Sequence, residues 1–173
     1  RADVLSTLNE HWKHGRFASY DWDKHIDVEI STLDSLIEKY GMPRYCKIDV
    51  EGSELAVLQG LSRPMPFISI EYAIEFRSDT EACVQRLEAL GYLRFNVSRE
   101  DSGKLALGEW VTSERLLAWL GAEADLLAWG DIHASTDLRP GVTTLPRNRP
   151  GPLRRALRPL VDFFRFNSSD ALR

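Results

Sequence analysis

Hydrophobic residues in this chain recur with two different periods. Leu33, Leu36, Ile37 and Tyr40 fall at i, i+3, i+4 and i+7, and Leu55, Leu58 and Leu61 follow a similar stripe. Cys83/Val84, Leu87 and Leu90 form a third stripe, and Ser113 to Leu120 a short fourth. Such spacing predicts amphipathic helices, each with one face toward a core. Ser31 and Asp34 resemble a capping box for the first helix, which Gly41 closes and Pro43 keeps from resuming. Ser78 and Glu81 have the same relation at the start of the third, which Gly91 ends.

Between these stripes the pattern shifts to a strand period. His25 to Ile30 alternates polar and apolar, as a strand with one wet face does. Tyr45 to Val50 reads as a short strand stopping at Glu51-Gly52, and Phe67 to Tyr72 is almost continuously apolar. Tyr92 to Val97 and Ala128 to Ala134 complete the set. Strands alternating with helices predict an α/β fold with a mainly parallel sheet and crossover connections.

Charge then divides the chain. Residues 1–134 carry 14 basic and 23 acidic groups, a net −9, whereas residues 135–173 carry eight Arg against three Asp, a net +5. Five of the eight prolines lie past residue 139. The break predicts a body over 1–134 and a Pro/Arg-rich linker and tail over 135–173. In the tail, Leu153, Ala156, Leu157, Leu160, Val161 and Phe164 share one helical face, with arginines largely opposite. A basic amphipathic helix over 153–165 is expected, kinked or restarted at Pro159 and packed on the body or a further domain. The alternatives are a helix at a membrane surface, for which it is the one suited segment, and a disordered tail. The acidic body argues against nucleic acid as a partner. No apolar run reaches the ~20 residues that span a bilayer. Two cysteines make no disulfide framework, so a reducing, cytoplasmic setting is the default.

Several chemistries are excluded by spacing. No Gly-x-Gly, G-x-x-x-x-G-K-[ST], G-x-S-x-G or C-x-x-C occurs. The four histidines (11, 14, 25 and 133) read as solvated loop residues, and Cys46 and Cys83 as small buried hydrophobes. What stands out is acid at strand ends. Lys47-Ile48-Asp49-Val50-Glu51-Gly52 places Lys47, Asp49 and Glu51 on one strand face, and Ile70-Glu71-Tyr72 ends the next strand with another carboxylate. In α/β sheets ligands bind beyond the carboxyl ends of the strands, and Gly52 allows a sharp turn or a close ligand there. The bland alternative is that Lys47 pairs with an acid and Glu51 begins a loop.

These residues also carry a family likeness. Val28 to Ile37, Lys47 to Glu54 and Val57 to Leu61, with Ile68-Ser69-Ile70-Glu71 after them, resemble the FkbM family of S-adenosylmethionine-dependent methyltransferases. Ser6 to Glu10 and Trp129 to Ala134 are similar to segments of one branch of it. The resemblance implies a class I (Rossmann-like) methyltransferase fold, with Asp49 and Glu51 at the end of the fourth strand and Glu71 at the end of the fifth. It implies catalytic roles for Asp49, Glu51 and Glu71, cofactor contacts at Asp49, Val50 and Gly52, and S-adenosylmethionine as cofactor. The acceptor implied is a small-molecule or glycan hydroxyl. Asp49 or Glu51 would act as general base; a Mg²⁺ held by Asp49, Glu51 and Glu71 is the other option, since hard cations prefer carboxylate oxygens. The aromatic-rich stretch Trp12 to Trp22 would be an acceptor-side loop. The D-x-G-A-N-x-G cofactor loop of the family has no counterpart here, and the first residue is Arg1. The expectation is an N-terminally truncated domain, its second half, inactive alone. A metal-dependent hydrolase or nuclease using the same carboxylates, or a non-catalytic interaction fragment, are the alternatives.

Overall fold

A computed structural model describes residues 7–14, 18–19, 22 and 27–137. The tail beyond residue 137, residues 15–17, 20 and 21 of the stretch Trp12 to Trp22, and His25 and Ile26 lie outside the described residues. Four helices occur where the stripes place them: α1 (Leu33–Tyr40), α2 (Glu54–Gln59), α3 (Arg77–Ala89) and α4 (Ser113–Gly121). The cap of α1 sits one residue later than expected. Thr32, not Ser31, accepts from the Ser35 amide, and Asp34 instead accepts from the Ser62 amide beyond α2. α3 starts before Ser78, because the 3₁₀ turn Ile74–Phe76 runs directly into it. The start of α4 is as its sequence reads, with the Thr112 side chain capping the Arg115 amide.

The strands are β1 (Tyr45–Ile48), β2 (Phe67–Ala73), β3 (Arg94–Arg99) and β4 (Trp129–Ser135), in the order β1-β2-β4-β3. β1 and β2 pair in parallel across the α2 crossover, but β4 lies antiparallel to both β2 and β3. The sheet is therefore mixed, not mainly parallel. The connection after α3 places β3 two positions from β2, and residues 100–128 turn the chain back so that β4 fills the gap in reverse. Helix–strand alternation does not encode that reversal. Gly130 makes the insertion possible: a Cβ there would lie 2.0 Å from the Ser98 carbonyl oxygen. The expected strand over 25–30 is not seen among its described residues. Its described residues 27–30 have no sheet partner, and Ile30 is 80% exposed.

Register sorts the side chains by face. Cys46, Ile68, Ala134 and Phe95 form one row across the sheet, and Ile48, Ile70, Ile132 and Val97 the next. With Leu58 of α2 and Val84 and Leu87 of α3 they make the core. The opposite face carries the row Lys47, Ser69, His133 and Asn96, beside Glu71, Asp131 and Ser98. No helix among the described residues is long and apolar enough to cross a membrane.

Candidate active site

β1 ends at Ile48, two residues sooner than its sequence suggests, because the chain turns. Glu51 adopts φ 53° and Gly52 φ 93°. The second is unstrained for glycine; the first costs a residue with a Cβ about 1 kcal/mol and persists only where neighbours enforce it. The turn brings the Asp49 and Glu51 carboxylates beside that of Glu71 at the end of β2. One oxygen from each lies within 4.8 Å of the others. The three acids anticipated from the sequence thus meet in one cluster.

The surroundings of the cluster decide its charge. Glu71 Oε2 is buried with no hydrogen-bond partner. Burial first, then the carboxylates of Glu51 and Asp49, push the Glu71 pKa up to about 9, so it holds a proton at neutral pH. Lys47 Nζ bridges Asp49 at 3.2 Å and Asp131 at 3.4 Å. Burial works against the lysine charge, but Asp131 and Asp49 outweigh it and raise its pKa. The pairing of Lys47 with an acid therefore holds, and it coexists with the cluster rather than replacing it. Burial also raises Asp131, against the pull of Lys47.

Three features of this site escape a reading of strand ends alone. Glu54, the first residue of α2, is only 8% exposed. Its Oε1 accepts from the Val50 amide at 3.1 Å, and its Oε2 from the Gly52 amide at 3.1 Å. Burial raises its pKa against these backbone donors. Acid in a helix first turn is the sequence signal for it, but not for this backward reach. Thr7 and Asn9 come from the other side: the Thr7 hydroxyl donates to the Glu51 carbonyl and Asn9 Nδ2 to the Gly52 carbonyl at 2.6 Å. Gly52 stands at the sharp turn, with its N–H donating to Glu54. His133, expected in a solvated loop, is a buried strand residue with Nε2 3.0 Å from Ser98 Oγ and Nδ1 unpartnered. Burial holds it neutral, with a pKa of about 4. Cys83 is buried as expected, and Cys46 is half-buried.

A cleft of about 400 Å³ opens beside the cluster, between α2, α3 and residues 8–10. Glu10, Glu54, Glu71 and Asp79 contribute to its wall together with Phe76 and Cys83, and no Lys, Arg or His does so among the described residues.

The stretch that builds this turn and cleft coincides with a known domain: the model of the methyltransferase FkbM domain matches residues 3–94. The chain belongs to the FkbM methyltransferase family. All of Thr7, Asn9, Asp49, Glu51, Glu54 and Glu71 fall inside the FkbM match, which ends at Arg94, the first residue of β3. α4 and β4, with Asp131 and His133, lie beyond it. No curated protein and no solved structure matches the chain.

Proposed function

We propose that the protein is a class I, Rossmann-like methyltransferase that transfers a methyl group from S-adenosylmethionine to a hydroxyl of a small molecule or glycan. The convergence of Asp49, Glu51 and Glu71 beside the cleft, inside the FkbM match, carries this reading. A cluster of carboxylates suits a cationic methyl donor, and the residues present fit that group by charge. S-adenosylmethionine, when bound, supplies an electrophilic methyl group on a sulfonium centre. Asp49, Val50 and Gly52 are the positions we assign to cofactor contact. The acceptor occupies the cleft, and a carboxylate oxygen of Asp49 or Glu51 takes the proton of its hydroxyl. Glu71, protonated at neutral pH, donates a hydrogen bond that holds the acceptor oxygen in line. Among the described residues the wall of the cleft carries carboxylates and no cation, which disfavours anionic acceptors. Free thiols at Cys46 and Cys83 suit the cytoplasm.

A second reading is that Asp49, Glu51 and Glu71 hold a Mg²⁺. It is favoured by the spacing of their oxygens and the unpartnered Glu71 Oε2. Adding Mg²⁺ should then raise Tm and release a proton from Glu71; a thermal curve indifferent to Mg²⁺ removes this reading.

Isothermal titration with S-adenosylmethionine tests the main proposal. Binding is expected to be micromolar for a polypeptide carrying this chain together with a D-x-G-x-x-x-G segment, and weak for residues 1–173 alone. No heat from the longer polypeptide would reject it.

A further inference from the structure

The turn that presents Glu51 is tied from both sides by residues distant from its strand. The amides of Val50 and Gly52 on either side of Glu51 donate to one buried carboxylate, that of Glu54. The carbonyls of Glu51 and Gly52 accept from Thr7 and Asn9. The Asn9 amide also donates to Thr7 Oγ1 at 2.9 Å, so the two outer ties orient each other. Four backbone groups of one short turn thus have partners, and the residue at its apex stands in a left-handed conformation that few residues other than glycine adopt. Glu54 holds the peptide plane after Glu51 through the Gly52 amide, Thr7 holds the same plane through its carbonyl, and Asn9 holds the carbonyl of the next peptide.

We infer that Thr7, Asn9 and Glu54 are positioning residues, which clamp the Glu51–Gly52 turn so that the Glu51 carboxylate is aimed at Asp49 and Glu71. The inference rests on the reading of Glu51 as a working group of the site, but it concerns this chain's own geometry and is testable without turnover. Residues 7–9 are in this view part of the active site twice over: Leu8 and Asn9 wall the cleft, and the ties from Thr7 and Asn9 hold the turn. A clamp also explains why a positive φ is kept at a glutamate when a glycine stands one residue later.

NMR on the 173-residue chain provides the test. Three-bond couplings at Glu51 should report one dominant χ1 rotamer in the wild type and in Thr7→Ser, which keeps the hydroxyl. Thr7→Val/Asn9→Ala should average that rotamer, and exchange of the Gly52 amide should accelerate by roughly tenfold. Should the double variant lose its dispersed spectrum, Asn9→Ala alone is measured in the same way. Averaging already present in the wild type, a rotamer retained after the ties are cut, or averaging in Thr7→Ser would each overturn the clamp. Because cofactor titration is a separate measurement, a clamp that behaves as expected in a protein that ignores S-adenosylmethionine rejects the methyltransferase proposal alone.

Discussion

The two faces of one sheet follow opposite rules. On the helix-covered face Ile68, Ile70, Val97 and Ile132 are fully buried and need only shape and apolarity. On the other, Ser69, Asn96, Ser98 and His133 are buried almost as deeply, at 0–2% exposure, and every one is polar. Burying such groups is unfavourable unless each has a hydrogen-bond partner. Most do: Tyr45 meets Ser69 at 2.7 Å, and Asn96 binds the 107–109 loop through both ends of its amide. The exceptions, Glu71 Oε2 and His133 Nδ1, are both on this face. One face supplies the stability that the other draws on to keep titratable groups in unusual states.

The contrast can be broken most strongly on the apolar side. Ile132→Ala, in the central reversed strand, should cost about 3–4 kcal/mol in chemical denaturation, through lost burial and a cavity. A loss below 1 kcal/mol would mean that β4 is not locked between its neighbours.

The polar side should reveal itself through pH. Folded Glu71 keeps its proton to about pH 9, whereas an unfolded glutamic acid loses it near 4.5. The folded state therefore binds more protons in that window, and stability falls as pH rises through it, levelling off above about 9. His133 has the reverse sign. Its folded pKa of about 4 lies below the ordinary 6.5, so its share of stability is complete above 6.5 and is lost as pH falls toward 4. Above 6.5 the Glu71 loss is unopposed. Glu71→Gln should abolish the decline between pH 7 and about 9, on the order of 2 kcal/mol, and a Tm–pH profile with the same slope in that window in both proteins would contradict this.

The smallest effect belongs to the ion pair. Asp131→Asn removes one partner of a Lys47 that is 42% exposed and still has Asp49, so less than 1 kcal/mol is expected. A larger loss in thermal melts would show that Lys47 fixes the cluster rather than trimming its charge.

The sequence revealed one face better than the other. The helices and β2 were legible because an apolar stripe or run suffices to mark them, and Asp49, Glu51 and Glu71 because acids at strand ends are conspicuous. The direction of β4 was not, since it depends on pairing between Phe67 and Ser135 and between Arg94 and the same Ser135, far apart along the chain. His133 looked like a solvated residue because one imidazole in a polar segment carries no sign of burial. Glu54 and the Thr7/Asn9 ties were hidden for a related reason: their function lies in backbone hydrogen bonds, which no side-chain pattern announces. The shift of the α1 cap to Thr32 is a near-degenerate choice between adjacent hydroxyl residues.

The reversed strand also sets an order of events during synthesis. As the polypeptide emerges from the ribosome, β1, β2 and their crossover helix can assemble early, but β2 and β3 have no partner for their facing edges until residues 129–135 have been made. Through that interval two open edges flank an empty slot, the condition in which strands recruit foreign chains. The sheet can be completed only once residues 129–135 exist, and its tightest fit is at Gly130, where a Cβ would meet the Ser98 carbonyl.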